Sequence, residues 1–428
     1  MRTFILSLVV ASLLRAQDPT PLTRQDAERI ALANNPRIHV GQLLAKVQGQ
    51  SVRETRAGEL PSLTGNLTGV DANEGSRIGS GTLTASRLLT HAGTGVQFNQ
   101  LITDFGRTRN LVASEKLKEK AREADVVASQ QEITLAADQA FYEALEAQST
   151  LQIADQTVAT RQTLVDRVNA LTNAKLKSSL DLSFAKVDLA RARLLQLDAR
   201  NRIDSALAVL TSVLGFDHPV NYRLVEDLTQ LPALPPDAEP LIASALRQRP
   251  DLESLQLMEQ SARKFSSAQH DQLLPSINAM ATVGATPIGA AEYFSSDWYG
   301  AAGVNISIPL FDGFRFRAQA AEAKLQVNVA SEQIRQRRDQ IVQDVRTAWL
   351  NANTALERVN VAADLLKEAS MATDLAQSRY SLGLSSIVEL SQAQLQQTEA
   401  AIGDANARTD YRLAMAALTF QSGGRMQP

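Results

Sequence analysis

Leu60-Pro61-Ser62-Leu63 closes a helical pattern and opens an alternating one, and it returns as Leu274-Pro275-Ser276-Ile277. Upstream, Ala31-Leu32 before Pro36 returns as Ala245-Leu246 before Pro250, at the same offset of 214. Downstream the offset becomes 208. It relates Asp104 to Asp312, Arg107 to Arg315, Lys116-Leu117 to Lys324-Leu325, Leu182-Ser183 to Leu390-Ser391, and runs on to Gly215 and Gly423. A unit of roughly 190 residues is present twice, and such self-similarity governs the fold before any single motif does. The six extra residues of the first copy fall between Pro61 and Asp104. Insertions are tolerated at exposed loop tips, so each unit carries a solvent-exposed loop there.

The period changes from helical to two just after that stretch. Leu63, Gly65 and Leu67 alternate with Thr64, Asn66 and Thr68, and on the return Thr94, Val96, Phe98 and Ile102 oppose Gly95, Gln97 and Asn99. In the second copy Ile277, Ala279, Ala281 and Val283 oppose Asn278, Met280 and Thr282, while Ala302, Val304, Ile306 and Ile308 oppose Gly303, Asn305 and Ser307. This describes strands apolar on one face and wet on the other. Each has the length, about ten residues, that crosses a bilayer when tilted. Tyr293, Phe294, Trp298 and Tyr299 cluster where an interfacial aromatic girdle would lie. The alternation by itself fits a soluble hairpin with one buried face equally well.

Before the strands each copy has two shorter helices. Thr23 is placed to cap the first, with Asp26 at the capping-box position. After the strands come very long helices. From Phe105 to about Thr172 there is no proline, and after Gly106 no glycine. Good helix formers dominate, and at ~1.5 Å per residue the run would span about 100 Å. A break at Asn173 to Ser178 precedes a second helix to Leu214; the second copy repeats this with Phe314 to Tyr380, Ser381 to Ser386 and Ile387 to Gln421. Small residues such as Ala136, Ala137, Ala140, Ala144, Ala147, Ala414, Ala416 and Ala417 permit close helix packing. The expected organisation is a signal peptide at 1–16 and a first repeat at 17–215, with strands about 62–71 and 93–103 and a helical hairpin about 105–214. A proline-rich linker at 216–239 leads to a second repeat at 240–424, with strands about 276–285 and 299–309 and a hairpin about 314–421; 425–428 is a tail.

Arg2 and the apolar run Phe4 to Leu14 form the export signal, with Leu14-Arg15-Ala16 as an imperfect cleavage site. That run is shorter than the ~20 residues a spanning helix needs, and no later stretch is apolar for long enough. There is no cysteine, so neither a disulfide framework nor a thiolate site nor a lipidated N-terminal cysteine can form. An exported chain without cysteine fits a bacterial envelope better than a disulfide-stapled scaffold. The net charge is −3 and becomes more negative when Arg2 and Arg15 are removed, which argues against nucleic acid as a partner. His39, His91, His218 and His270 lack metal-ligand spacing, Gly75 to Gly81 lacks the lysine of a phosphate cradle, and no nucleophile–base pair stands out. The expectation is a non-enzyme without metal or cofactor. Four strands cannot close a barrel, and an open sheet edge is not tolerated in lipid. If the strands lie in a membrane, three chains pooling twelve strands would solve the problem.

Taken in order and twice, these features resemble the TolC-type outer-membrane efflux family over nearly the whole chain, from Leu22 to Gly424. The resemblance rests on the duplicated Leu-Pro-Ser-aliphatic step and on two strand-to-helix junctions. These are Leu101-Ile102-Thr103-Asp104-Phe105-Gly106 and Ile308-Pro309-Leu310-Phe311-Asp312-Gly313. It rests also on Tyr380-Ser381-Leu382-Gly383 at a hairpin tip. It implies a mainly α fold with β: a homotrimer whose twelve-stranded outer-membrane β-barrel continues into a periplasmic α-helical barrel. It implies the exit channel of a tripartite efflux pump or of type I protein secretion, in outer-membrane lipid, bound to a periplasmic adaptor and through it to an inner-membrane transporter. By the resemblance Glu389 holds an acidic constriction position, so three copies would form a cation-favouring carboxylate ring; the next acidic position is Gln392. Asp181 matches a gate-linking carboxylate and Tyr380 its hydroxyl partner, so a hydrogen bond between them is expected. The arginine that grips that carboxylate in some members is Ser385 here, with Lys177 as its stand-in. Gly383-Leu384-Ser385 keeps the adaptor-docking turn, whereas Lys175-Leu176-Lys177 departs from it by placing Lys175 at the glycine position. The other function class left open is a non-channel coiled-coil envelope spacer; a channel would fractionate with the outer membrane as a trimer.

Overall fold

The computed structural model describes residues 20–71, 77–80, 83–87, 91–218, 220, 222–225, 231–288 and 298–424. The export signal, Tyr293 and Phe294, most of the loop rich in glycine and serine at Asn73 to Gly81 and the C-terminal tail lie outside the described residues. In chain order the elements are β1 (Thr20–Leu22), α1 (Arg24–Asn34), α2 (Pro36–Ala57), β2 (Ser62–Val70), β3 (Arg77–Ser80), β4 (Leu83–Arg87), β5 (His91–Thr103), α3 (Arg107–Asn173), α4 (Ser179–Val213), β6 (Tyr222–Leu224), α5 (Glu239–Gln248), α6 (Pro250–Asp271), β7 (Ser276–Ile288), β8 (Trp298–Ser307), α7 (Arg315–Ser381) and α8 (Ile387–Gln421). The fold is mainly helical, and the two copies carry helices of equal length, 67 residues for α3 and α7 and 35 for α4 and α8. None of the described helices is long and apolar enough to cross a membrane.

The chain divides into two compact units. One comprises 40–127 and 250–340 and holds an antiparallel sheet in the order β2-β5-β7-β8. The register aligns the apolar residues of all four strands. Leu63 pairs with Phe98, Phe98 with Ala281 and Ala281 with Ala302; the next row is Gly65, Val96, Val283 and Gly300. Directly opposed residues share a face, so one side of the sheet is apolar from edge to edge, and Leu63, Leu67, Val304 and Ile306 are widely exposed on it. The other side carries rows such as Thr64, Gln97, Thr282 and Ala301. Trp298 falls on the apolar side, in the row of Leu67, Thr94 and Ala285. Tyr299 belongs to the opposite side, beside Gly95 and Gly284, so these two do not form a one-sided girdle.

At both strand-to-helix junctions an aspartate caps the long helix. Asp104 accepts from the N–H groups of Gly106 (3.2 Å) and Thr108 (2.7 Å), and Asp312 accepts from that of Phe316 (2.7 Å). Two consecutive residues with positive φ make each turn: Phe105 (56°) and Gly106 (112°), then Gly313 (67°) and Phe314 (66°). The capping carboxylate satisfies amides that have no intrahelical partner and suits the positive end of the helix.

The second unit comprises the remaining helical segments, with β1 and β6 paired in parallel. Thr23 caps α1 as expected, its Oγ1 accepting from the Asp26 N–H. Phe141, Ala137, Ala140 and Ala144 of α3 pack with Ala27 and Ala31 of α1 and with Leu210 and Leu214, all of them buried. Tyr411, Met415 and Leu418 of α8 pack with Ala352, Ala355 and Val359 of α7. The proline-rich stretch is fastened onto this core: the Tyr411 hydroxyl donates to the Pro232 carbonyl (2.5 Å) and Trp349 Nε1 to that of Pro235 (2.9 Å).

Candidate functional site

The two helical hairpin tips have one backbone design. In the first, the Lys175 N–H donates to the Thr172 carbonyl and the Leu176 N–H to that of Leu171 (2.9 Å). In the second, the Gly383 N–H donates to the Tyr380 carbonyl and the Leu384 N–H to that of Arg379 (2.8 Å). These paired bonds satisfy the last carbonyls of a helix and need a left-handed residue at the turn. Gly383 supplies it with φ 76° and Lys175 with φ 59°. The lysine therefore departs from the pattern in its side chain and not in its turn. A side chain in this conformation is strained, so Lys175→Gly is expected to stabilise the helical unit by about 0.5–1 kcal/mol. A thermal scan that shows no gain would reject that reading.

A serine then caps each outgoing helix. Ser178 Oγ accepts from the Asp181 N–H (3.1 Å) and Ser386 Oγ from the Glu389 N–H (3.3 Å). Asp181 and Glu389 are thus equivalent first-turn acids, where the helix dipole favours negative charge. Around the turns Leu176, Leu180, Leu382 and Leu384 stand exposed.

Tyr380 is only 4% exposed and packs with Leu164, Val168, Ile387 and Leu390. Burial, and secondarily the Asp181 charge, push its phenol above the usual range. The expected hydrogen bond to Asp181 does not form within the chain: the Tyr380 hydroxyl has no hydrogen-bond partner among the described residues. The ring is held in the packed wall while Asp181 stays half-buried at its helix start. Lys177 lies over the ring with Nζ 4.3 Å from its centroid, so it meets the tyrosine and makes no ion pair with Asp181 among the described residues. Ser385 Oγ is buried and unpartnered there too. Gln392 is exposed one turn beyond Glu389 and borders a groove of ~450 Å³ together with Phe184, Val388 and Arg161.

The residue that sequence reasoning missed is Arg379. Its Nε is 3.2 Å from Glu389 Oε1. Residues 379 and 389 are equidistant from Leu384 at the turn, and this symmetry of an antiparallel hairpin is the signal that could have found the pair. No group of three or more His, Cys, Asp or Glu among the described residues is placed to hold a metal.

A duplicated unit with an all-antiparallel sheet, apolar from edge to edge on one side, and long helical hairpins with matching turns defines the outer-membrane channel class. A family profile described as "Outer membrane efflux protein" matches residues 29–216 and 241–424. The chain belongs to that family, one of outer-membrane channels and not of enzymes. It is 24% identical over 345 residues to the outer membrane protein TolC of Salmonella enteritidis, covering 77% of this chain and 68% of the relative. It is 24% identical over 400 residues to the outer membrane efflux protein BepC of Brucella suis, covering 92% and 84%. In fold it is similar to CusC, with a TM-score of 0.81 at 19% identity over 94% of this chain and 92% of that one.

Proposed function

We propose that the chain is the exit duct of a tripartite efflux assembly. Three copies close a twelve-stranded barrel in the outer membrane, and their hairpin tips form the gated periplasmic end of a helical conduit, where an adaptor docks. The observation that carries this reading is the β2-β5-β7-β8 sheet. Its apolar side has exposed Leu63, Leu67, Val304 and Ile306, and its outer strands β2 and β8 pair on one side only among the described residues. In lipid every backbone polar group needs a partner, so such a sheet must find further strands to close against. The exposed leucines at the tips supply an apolar surface for the adaptor, since large exposed apolar groups mark interaction sites. Gly383, Leu384 and Ser385 on one tip, with Lys175, Leu176 and Lys177 on the other, are the residues assigned to it.

The test is conductance of the detergent-purified mature protein in a planar bilayer. Discrete steps are expected from a species that runs as a trimer. Silence from protein shown to be inserted would count against a conduit and favour a spacer. Gly383→Val forces a β-branched residue into a left-handed turn and is expected to weaken capture of the adaptor; unaltered capture would reject the docking assignment.

A further inference from the structure

We propose that Arg379 sets the ion selectivity of the periplasmic constriction by cancelling the charge of Glu389. This rests on the reading that Glu389 faces the lumen. The pair is specific to the second copy: the positions equivalent to Arg379 and Glu389 are Leu171 and Asp181. It is also the acidic site's whole charge at this level of α8, because Gln392, one turn on, is neutral. An unpaired ring of three carboxylates would repel itself and admit cations preferentially. With a guanidinium 3.2 Å from each carboxylate, the ring carries three opposed pairs and little net charge. The duct then passes anionic and cationic solutes at comparable cost, as a general exit should.

Two geometric points favour this role over that of a staple holding the hairpin together. Arg379 is 48% and Glu389 44% exposed by side chain, and an ion pair that open contributes little to stability. The turn is already specified by the paired backbone bonds at Gly383 and Leu384 and by the Ser386 cap. Arg379→Gln is therefore expected to fold and assemble as the parent does, which a thermal scan and the trimer band check.

The experiment is the reversal potential in a KCl gradient across planar bilayers, for the parent, Arg379→Gln, Glu389→Gln and the double variant. The parent is expected near zero selectivity. Arg379→Gln is expected to raise the potassium-over-chloride preference about fivefold, Glu389→Gln to shift it toward chloride, and the double variant to return to the parent value. If Glu389→Gln shifts selectivity while Arg379→Gln does not, the carboxylate faces the lumen unopposed and the proposal is overturned. If neither variant moves the reversal potential of a conducting channel, the constriction assignment of Glu389 falls as well.

Discussion

Asp138→Asn is expected to abolish a loss of stability that the parent protein suffers between about pH 4 and pH 7. Asp138 lies in α3, 7% exposed, and faces Arg24 and Glu28 of α1. Arg24 Nη1 is 3.4 Å from its Oδ1 and also pairs with Glu28. Burial first, then the hydrogen bond and charge of Glu28, push the Asp138 carboxyl up to about 7, against the pull of Arg24. The folded chain therefore holds this proton up to about pH 7, whereas the unfolded chain releases it near the ordinary value of 3.8. Between those limits the folded state binds more protons, so unfolding free energy falls as pH rises. The contribution is whole below the unfolded value and lost above the folded one. Its upper limit is on the order of 4 kcal/mol. Asparagine has the same shape and stays neutral, so the variant should match the parent near pH 4 and exceed it by a few kcal/mol at pH 8. Carboxylates remote from this cluster are common to both proteins and cancel in the difference, whereas Glu28, which bonds to Asp138, titrates together with it and belongs to the effect measured. Paired denaturation curves at the two pH values make the measurement, and a difference that does not change with pH would refute the coupling.

The parts that were legible in the sequence are those that repeat or alternate. The 208-residue offset aligns α3 with α7 and α4 with α8, and the alternation of Leu63, Gly65 and Leu67 locates a strand whose face the register then confirms. What escaped notice is short or depends on distant partners. β1 and β6 have three residues each and pair across two hundred positions, Thr20 with Tyr222, so neither leaves a periodic trace. β6 sits inside the proline-rich stretch, and β3 inside the loop rich in glycine and serine, where composition argues against strands.

At the tips the same division holds. The serine caps and the turn positions are local and can be read from spacing. The expected Tyr380–Asp181 bond does not form within the chain because the direction of a side chain follows from packing: the Leu164, Val168 and Leu390 cluster holds the ring, and Lys177 covers it. Arg379 escaped because nothing in its own helix marks it. Its meaning appears only when the hairpin folds it against Glu389.

Gly215→Ala is expected to cost ~3 kcal/mol or more, and Gly423→Ala ~1 kcal/mol, although the two positions are equivalents in the duplication. Both close a long helix. The Gly215 N–H donates to the Ser212 carbonyl and the Phe216 N–H to that of Thr211; the Gly423 N–H donates to the Phe420 carbonyl and the Gly424 N–H to that of Thr419. Both take a left-handed backbone, with φ 84° and 102°, which glycine alone adopts readily. Beside each, the end of a short helix is tied to the closing turn. Asn35 Nδ2 donates to the Val213 carbonyl (3.2 Å), and Arg249 Nη1 to the Gln421 carbonyl (3.3 Å). The joint is the same twice over, but its tightness differs. A Cβ on Gly215 would lie 2.7 Å from the Asn34 carbonyl oxygen and 2.8 Å from its carbon, so backbone must move. A Cβ on Gly423 would first meet the Gln248 Cβ at 3.3 Å, a contact a small shift relieves. Displacing α1 from the end of α4 would open the core that Ala27, Ala31, Phe141 and Leu214 share, which is why the first joint carries the larger penalty. Denaturation of the two alanine variants side by side measures it. Equal losses would mean that the left-handed backbone is the whole cost and that the packing of α1 against the turn contributes nothing.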